Sequence, residues 1–144
     1  MNLGTSKDPV KVLLDTNILI SAIGFGGGPR KVFLLALQKK IQGVTSPILL
    51  AEFREVISKK FPKLIHHLTR IEKGIKKSFI IVQPEMTINI LKDTDDNRVL
   101  EAAVDGKCEY IFTGDKELLE LDTFRGIKIL PVARFLSSLG YKQV

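Results

Sequence analysis

Asp15 follows the apolar run Val10-Lys11-Val12-Leu13-Leu14, and Asp115 follows a second run, Tyr110-Ile111-Phe112, with Thr113-Gly114 between. If both runs are parallel strands, both acids stand at the carboxyl ends of strands, the edge at which open α/β sheets bind ligands. Asp96, in Asp93-Thr94-Asp95-Asp96-Asn97, precedes a helical run from Asn97 to Ala103. Taken singly, each of these aspartates is better explained as a helix cap. Three caps at one sheet edge would nevertheless gather three carboxylates there, which weakens the separate explanations. Glu52 has no capping explanation, because it lies inside a helix with Leu49 three residues before and Val56 four after. That puts it at the margin of the apolar stripe, whereas Glu55 turns toward solvent. A carboxylate so placed loses hydration unless a cation or a hydrogen-bond donor compensates.

Four carboxylates from separate elements repel one another, and each then holds its proton more tightly. Bound divalent cations relieve the repulsion, and all-oxygen ligation suits Mg²⁺ or Mn²⁺. Such an ion can generate hydroxide from water and stabilise charge on a phosphoryl group. The charge distribution offers the other half of that chemistry. The chain carries a net +6, and between Arg54 and Lys77 eight bases face two acids, while from Glu85 to Asp122 eleven acids face four bases. The basic segment, with Lys59, Lys60, Arg70, Lys73, Lys76 and Lys77, is either a set of solvated helix faces or a surface for a polyanion.

The elements that must position these groups follow from the apolar pattern. At 144 residues, with 44% hydrophobic and 26% charged residues, the chain has the size and composition of one globular domain. We expect residues 1–9 to be loose and 10–144 to form that domain. Strands are expected at 10–14, 44–45, 79–82, 110–112 and 127–130. Helices are expected from Asn17 to Ile23, from Pro29 to about Gly43, after Ser46-Pro47, after Pro62 with Leu64, Leu68, Ile71 and Ile75 on its buried face, from Asn97, after Asp115, and from Pro131 to Leu139. Residues 86–92 fit either a sheet edge or a connector. Continuous apolar strands alternating with helices predict an α/β fold, a three-layer α/β/α with a central five-stranded parallel sheet. No apolar run approaches the ~20 residues of a spanning helix. One cysteine, Cys108, makes no internal disulfide, and the reading is a cytoplasmic protein with no membrane association.

Leu13-Leu14-Asp15-Thr16-Asn17, Ser46-Pro47 followed by Glu52, Asp95-Asp96-Asn97-Arg98-Val99-Leu100-Glu101-Ala102 and Thr113-Gly114-Asp115 together resemble the PIN-domain ribonucleases. Within these they are most similar to the prokaryotic branch of toxin components from toxin–antitoxin pairs. The resemblance covers about residues 10 to 135. It implies strand order 3-2-1-4-5 and an Mg²⁺- or Mn²⁺-dependent endoribonuclease, either a toxin or an RNA-processing enzyme. It maps the metal-binding and catalytic quartet onto Asp15, Glu52, Asp96 and Asp115, with Asn17 and Thr113 as polar supports. Asp96 is preferred to its neighbour Asp95 because it directly precedes the helical run. The implied partners are RNA, an antitoxin protein and a second copy in a homodimer.

Other readings meet obstacles in the residues. The glycine loop Gly24-Phe25-Gly26-Gly27-Gly28-Pro29 lacks the Gly-Lys-Ser/Thr of a phosphate loop and is expected to be a flexible connector. A haloacid-dehalogenase-type phosphatase needs a second aspartate where Asn17 stands. A receiver domain needs a phosphorylatable aspartate after its central strand, but the third strand here ends in Val82-Gln83-Pro84. A metal-free ribonuclease would use two histidines across the phosphate, and adjacent His66 and His67 point about 100° apart on a helix. A non-catalytic RNA- or protein-binding module with the same fold is the alternative that metal-dependent cleavage would distinguish.

Overall fold

The computed structural model describes residues 8–140, so most of the expected loose N-terminal segment, residues 1–7, lies outside the described residues. Its order is β1 (Lys11–Leu14), α1 (Thr16–Gly24), α2 (Gly27–Leu37), β2 (Gln42–Thr45), α3 (Pro47–Lys60), a 3-10 turn at Pro62–Leu64, α4 (Ile65–Ser78), β3 (Ile80–Ile81), α5 (Thr94–Asp105), β4 (Tyr110–Phe112), α6 (Lys116–Leu121), β5 (Thr123–Phe124), β6 (Ile127–Leu130) and α7 (Val132–Ser138). The sheet runs β3-β2-β1-β4-β6-β5. Five strands are parallel and take the expected order, with β6 as the fifth.

The expectation of five strands is corrected to six. Thr123–Phe124 pairs antiparallel with β6, Thr123 opposite Lys128 and Phe124 opposite Ile127. The connection is the two-residue turn Arg125-Gly126, with φ of 50° and 83°. Two successive positive φ values give the turn a twist that matches a hairpin, and glycine adopts the second without strain.

Side chains alternate across the sheet. Val12 and Leu14 of β1 and Phe112 of β4 enter one core, with α1, α2, α4 and α7. Leu13, Val44 and Ile111 enter the other, with α5 and α6. The central strands β1 and β4 are covered on both faces, so their apolar runs are continuous, whereas β6 alternates and leaves Lys128 exposed. Phe112 and Phe135 pack with ring centroids 4.7 Å apart and anchor α7.

Several boundaries move for identifiable reasons. Helix α2 runs from Gly27 to Leu37, within the expected limit of Gly43, which belongs to β2, where a Cβ would come within 2.6 Å of the Phe79 ring. The glycine loop is not a flexible connector. Gly26 at φ 96° turns the chain by 105° into α2, and Arg30 Nε donates to Ala22 O at 2.8 Å, closing the end of α1. The third strand shortens to Ile80–Ile81. Residues 82–93 form a connector, tied to β2 at its start by Val82 N donating to Thr45 O at 2.9 Å. Asp96 does not precede its helix, because α5 starts at Thr94 and the cap is Asp93, whose carboxylate accepts from Asp95 N at 2.8 Å. Among the described residues no single helix is long and apolar enough to cross a membrane.

Candidate active site

Strand β1 delivers Asp15 to the carboxyl edge of the sheet, and β4 delivers Thr113, Gly114 and Asp115 beside it, because the two strands pair in parallel with Leu14 opposite Phe112. Asp15 occupies the cap position of α1, yet its side chain makes no capping hydrogen bond. Instead the Thr113 hydroxyl donates to Asp15 Oδ2 at 2.6 Å, and the same hydroxyl oxygen accepts from Asp115 N at 3.0 Å. Burial pushes the Asp15 carboxyl above its ordinary range, opposed by Thr113 and by the backbone amides of Thr16 and Asn17, while the charge of Asp115 adds to the rise. Asp115 does cap its helix, Oδ1 accepting from Leu118 N at 3.0 Å.

Asp96 comes from the first turn of α5 and is 7% exposed. Burial, followed by the charges of Asp115, Asp93 and Asp15, pushes its carboxyl up to about 7. Glu52 reaches the same edge from α3, which Ser46 starts by accepting from Leu49 N at 3.3 Å. Half-buried, it is pushed up to about 7 by burial and then by Asp95, Asp15, Asp93 and Glu55. The four acids therefore share one field. They divide within it, since Asp96 faces Asp115 while the strongest charged neighbour of Glu52 is Asp95. Asn17 is exposed on the first turn of α1.

Asp96 Oδ2 and Thr45 Oγ1 are buried side-chain oxygens without a hydrogen-bond partner among the described residues. An unpaired, buried carboxylate oxygen facing other carboxylates fits a cation, and the donor set, oxygen throughout, fits a hard divalent ion. Among the described residues no three acids converge closely enough to hold one ion directly. Mg²⁺ needs no such cage, since it keeps several waters and takes one or two carboxylates.

The basic residues singled out from sequence are dispersed. Lys59 and Lys60 lie at the far end of α3, about 20 Å along its axis from Ser46. Lys59 pairs with Glu55 at 2.9 Å. Arg70 and Lys73 are exposed on α4, and Lys76 and Lys77 occupy its last turn. That turn ends where the strands start, Gln42 Nε2 donating to Ser78 O at 2.9 Å, on the edge opposite Asp15 and Asp115. Two lysines that the sequence reading passed over, Lys92 and Lys116, instead line an open cavity with Asp115.

The connector before α5 is held by side chains of the Asp-Asn-Arg motif. Asn97 Oδ1 accepts from Ile90 N at 3.2 Å and Leu91 N at 2.9 Å, and its amide donates to Leu91 O. Glu101 accepts from Ile88 N at 2.8 Å and pairs with Arg98, which also donates to Ile88 O. These roles were missed because an aperiodic connector shows nothing of what holds it. Cys108 is buried and its thiol is pushed up to about 12 by burial, which keeps it out of thiolate chemistry.

A PIN-domain family model matches residues 11–117. The chain belongs to the PIN domain family. PIN domains are generally nucleases, a class of hydrolase. This PIN domain is 36% identical over 120 residues to an uncharacterised protein of Methanocaldococcus jannaschii, covering 80% of this chain and 77% of the relative. Its fold matches a crystal structure of VapBC2 from Rickettsia felis bound to a DNA fragment from their promoter. The TM-score is 0.58 at 14% identity, over 83% of this chain and 97% of that one. The PIN domain of RRP44 from T. brucei aligns at TM-score 0.49 and 15% identity, over 93% of this chain and 80% of that one.

Proposed function

We propose that this PIN domain is a divalent-metal-dependent endoribonuclease that hydrolyses RNA phosphodiester bonds, with Asp15, Glu52, Asp96 and Asp115 as its acidic centre. The observation that carries the reading is the buried, unpartnered Asp96 Oδ2, set beside Asp15 and Asp115, where the Thr113 hydroxyl links the Asp15 carboxylate to the Asp115 backbone amide. Asp15 and Asp96 are the residues that would hold Mg²⁺ or Mn²⁺, with Glu52 and Asp115 completing the field. Such an ion, when bound, supplies charge compensation at the phosphoryl oxygens and a lowered pKa for water.

The remaining work falls to the chain. Thr113 and the backbone amides of Thr16 and Asn17 together fix the orientation of the Asp15 carboxylate. Asp115 is held in place by its own cap bond to Leu118 N, which leaves its second oxygen for the site. Glu52, on a helix rather than a loop, presents a carboxylate of restricted motion that accepts or releases a proton near neutral pH. The likeness of fold to a VapBC component supports an antitoxin protein as a partner, with a homodimer and a cytoplasmic setting as parts of the same proposal.

The test is cleavage of single-stranded RNA with Mn²⁺, with Mg²⁺ and with chelator, by wild type and by Asp15→Asn. Metal-dependent cleavage lost in the folded variant is the expected result. RNA binding without cleavage at any metal concentration would replace the enzyme with a binding module.

A further inference from the structure

At the acidic edge an open cavity brings two lysines and one exposed apolar side chain together with three acids, Asp115, Glu117 and Glu120. Lys92 and Lys116, both exposed, line an open cavity of about 640 Å³ with Ile90 and Asp115. That volume falls within the ~300–1,000 Å³ of small-ligand sites. Ile90 is 55% exposed, although the backbone on either side of it is held firmly. The amides of Ile88, Ile90, Leu91 and Lys92 all donate to side chains, namely Glu101, Asn97 and Glu117, the last at 2.8 Å. A connector that merely spans two elements does not need four such bonds. These bonds fix the backbone that carries Ile90 and Lys92 beside Asp115.

We infer that Ile90, Lys92 and Lys116 form a nucleotide subsite, which receives the RNA residue next to the scissile phosphate; the inference rests on the nuclease reading of the neighbouring acids. Lys92 and Lys116 contact the flanking phosphate, and Ile90 offers its apolar side chain to the base. Both glutamates that line the same cavity are engaged. Glu117 accepts from Lys92 N, and Glu120 stands 4.0 Å from the Lys116 ammonium in a solvent-exposed pair along one helix face. The two lysines also answer an electrostatic need. A polyanion approaching Asp15, Asp96 and Asp115 is repelled, and cations beside the acids lower that barrier more than those at the far sheet edge, which lie beyond much of the ~8–10 Å screening length.

The probe is a fluorescein-labelled 12-nucleotide single-stranded RNA, followed by anisotropy across a salt series in the Asp15→Asn background. Single-stranded contacts release about 0.7 counterion per phosphate neutralised. The double variant Lys92→Gln/Lys116→Gln should lose up to about 1.4 from the slope of log affinity against log salt. Affinity at low salt should fall by about tenfold. Ile90→Ser should weaken binding severalfold with the slope unchanged. Lys73→Gln/Lys77→Gln is the control and should leave the slope closer to wild type than the first pair does. An unchanged slope in the Lys92/Lys116 variant overturns the subsite, as does an absence of RNA binding by the parent protein. Cleavage is measured separately with Asp15 restored. Retained cleavage with an unchanged slope refutes the subsite and leaves the nuclease. Salt-sensitive binding through the two lysines without wild-type cleavage refutes the nuclease and, with it, a subsite beside a scissile phosphate, and leaves the lysines as an RNA-binding contact alone.

Discussion

Thr113 and Asp15 lie 98 residues apart in sequence and 2.6 Å apart in space, hydroxyl to carboxylate. Their bond helps to fix the orientation of the Asp15 carboxylate at the edge of the sheet. Thr113→Val keeps the shape and removes both the donor to Asp15 and the acceptor for Asp115 N. Loss of such a supporting hydrogen bond typically weakens metal affinity or activity about 10–100-fold. Cleavage titrated with Mn²⁺ should show that loss chiefly as a raised metal requirement, and Thr113→Ser should restore most of it. Equal titrations for Val and wild type would show that Asp15 needs no orientation.

Asp15→Asn and Asp96→Asn should each nearly abolish cleavage with the fold intact by circular dichroism. For Asp96 the same change relieves a buried carboxylate of its repulsion, so the metal-free variant should melt higher at pH 8. A gain of ~1 kcal/mol corresponds to about 2–4 °C at this chain length. Added Mn²⁺ should stabilise the wild type and not the variant, because only a species that binds the native state shifts the melting point in this way.

The pH dependence has a definite sign. Glu52 and Asp96 titrate near 7 in the fold, against ordinary values of 4.5 and 3.8. Between these limits the folded protein holds protons that the unfolded chain has released, so stability falls as pH rises. Their contribution to metal-free stability should be greatest below about pH 4, decline up to pH 7 and level off above it. Thermal melts of chelated wild type and of Glu52→Gln/Asp96→Asn across this range check it. A double variant with the same pH slope as wild type would remove the assignment.

Asp115 and Glu52 should respond differently to loss of charge. Asparagine caps a helix about as well as aspartate, so Asp115→Asn keeps the bond to Leu118 N. It should retain some cleavage at raised Mn²⁺. Glu52→Gln should recover less under single-turnover conditions, since its helix leaves the side chain little room to adjust. Full rescue of the glutamine variant alone would reverse the order.

Much of this arrangement was legible in the sequence. Apolar runs bounded by Asp15 and by Thr113 define β1 and β4, and in a parallel sheet that alone brings Asp15 and Asp115 to one edge. Glu52 was legible because a charge beside Leu49 and Val56 lacks a structural explanation. The hairpin strand β5 was not, since two residues have no periodicity and Arg125-Gly126 is a weaker turn signal than Asn-Gly. Asp93 as the true cap was hidden among four polar residues, any of which can start a helix. The basic segment misled for a physical reason. Helices distribute their charges around an axis and along ~20 Å of length, so a run of bases in sequence need not be a cluster in space.

Arg98 and Glu101 belong to the motif that carried the family resemblance, yet they hold the connector rather than the acids. Glu101→Ala leaves Arg98 and the Ile88 amide without their acceptor. Breaking a buried pair from one side costs about 3–5 kcal/mol. Amide hydrogen exchange should accelerate at Ile88, Ile90 and Leu91 well before it does in β1. Unchanged exchange there would assign the restraint to backbone packing alone.

The bond between Thr113 and Asp15 also governs when the centre comes into being. A chain emerging from the ribosome through β3 already contains Asp15 and Glu52, but Asp96, Thr113 and Asp115 have not yet been made. At about 5–20 residues per second they follow a few seconds later. A product that stops before β4 holds Asp15, Glu52 and Asp96 but lacks Thr113, Asp115 and one of the two central strands of the sheet. The proposed RNA-cutting centre is thus assembled only once β4 has joined β1, because shorter nascent lengths lack the residue that orients Asp15.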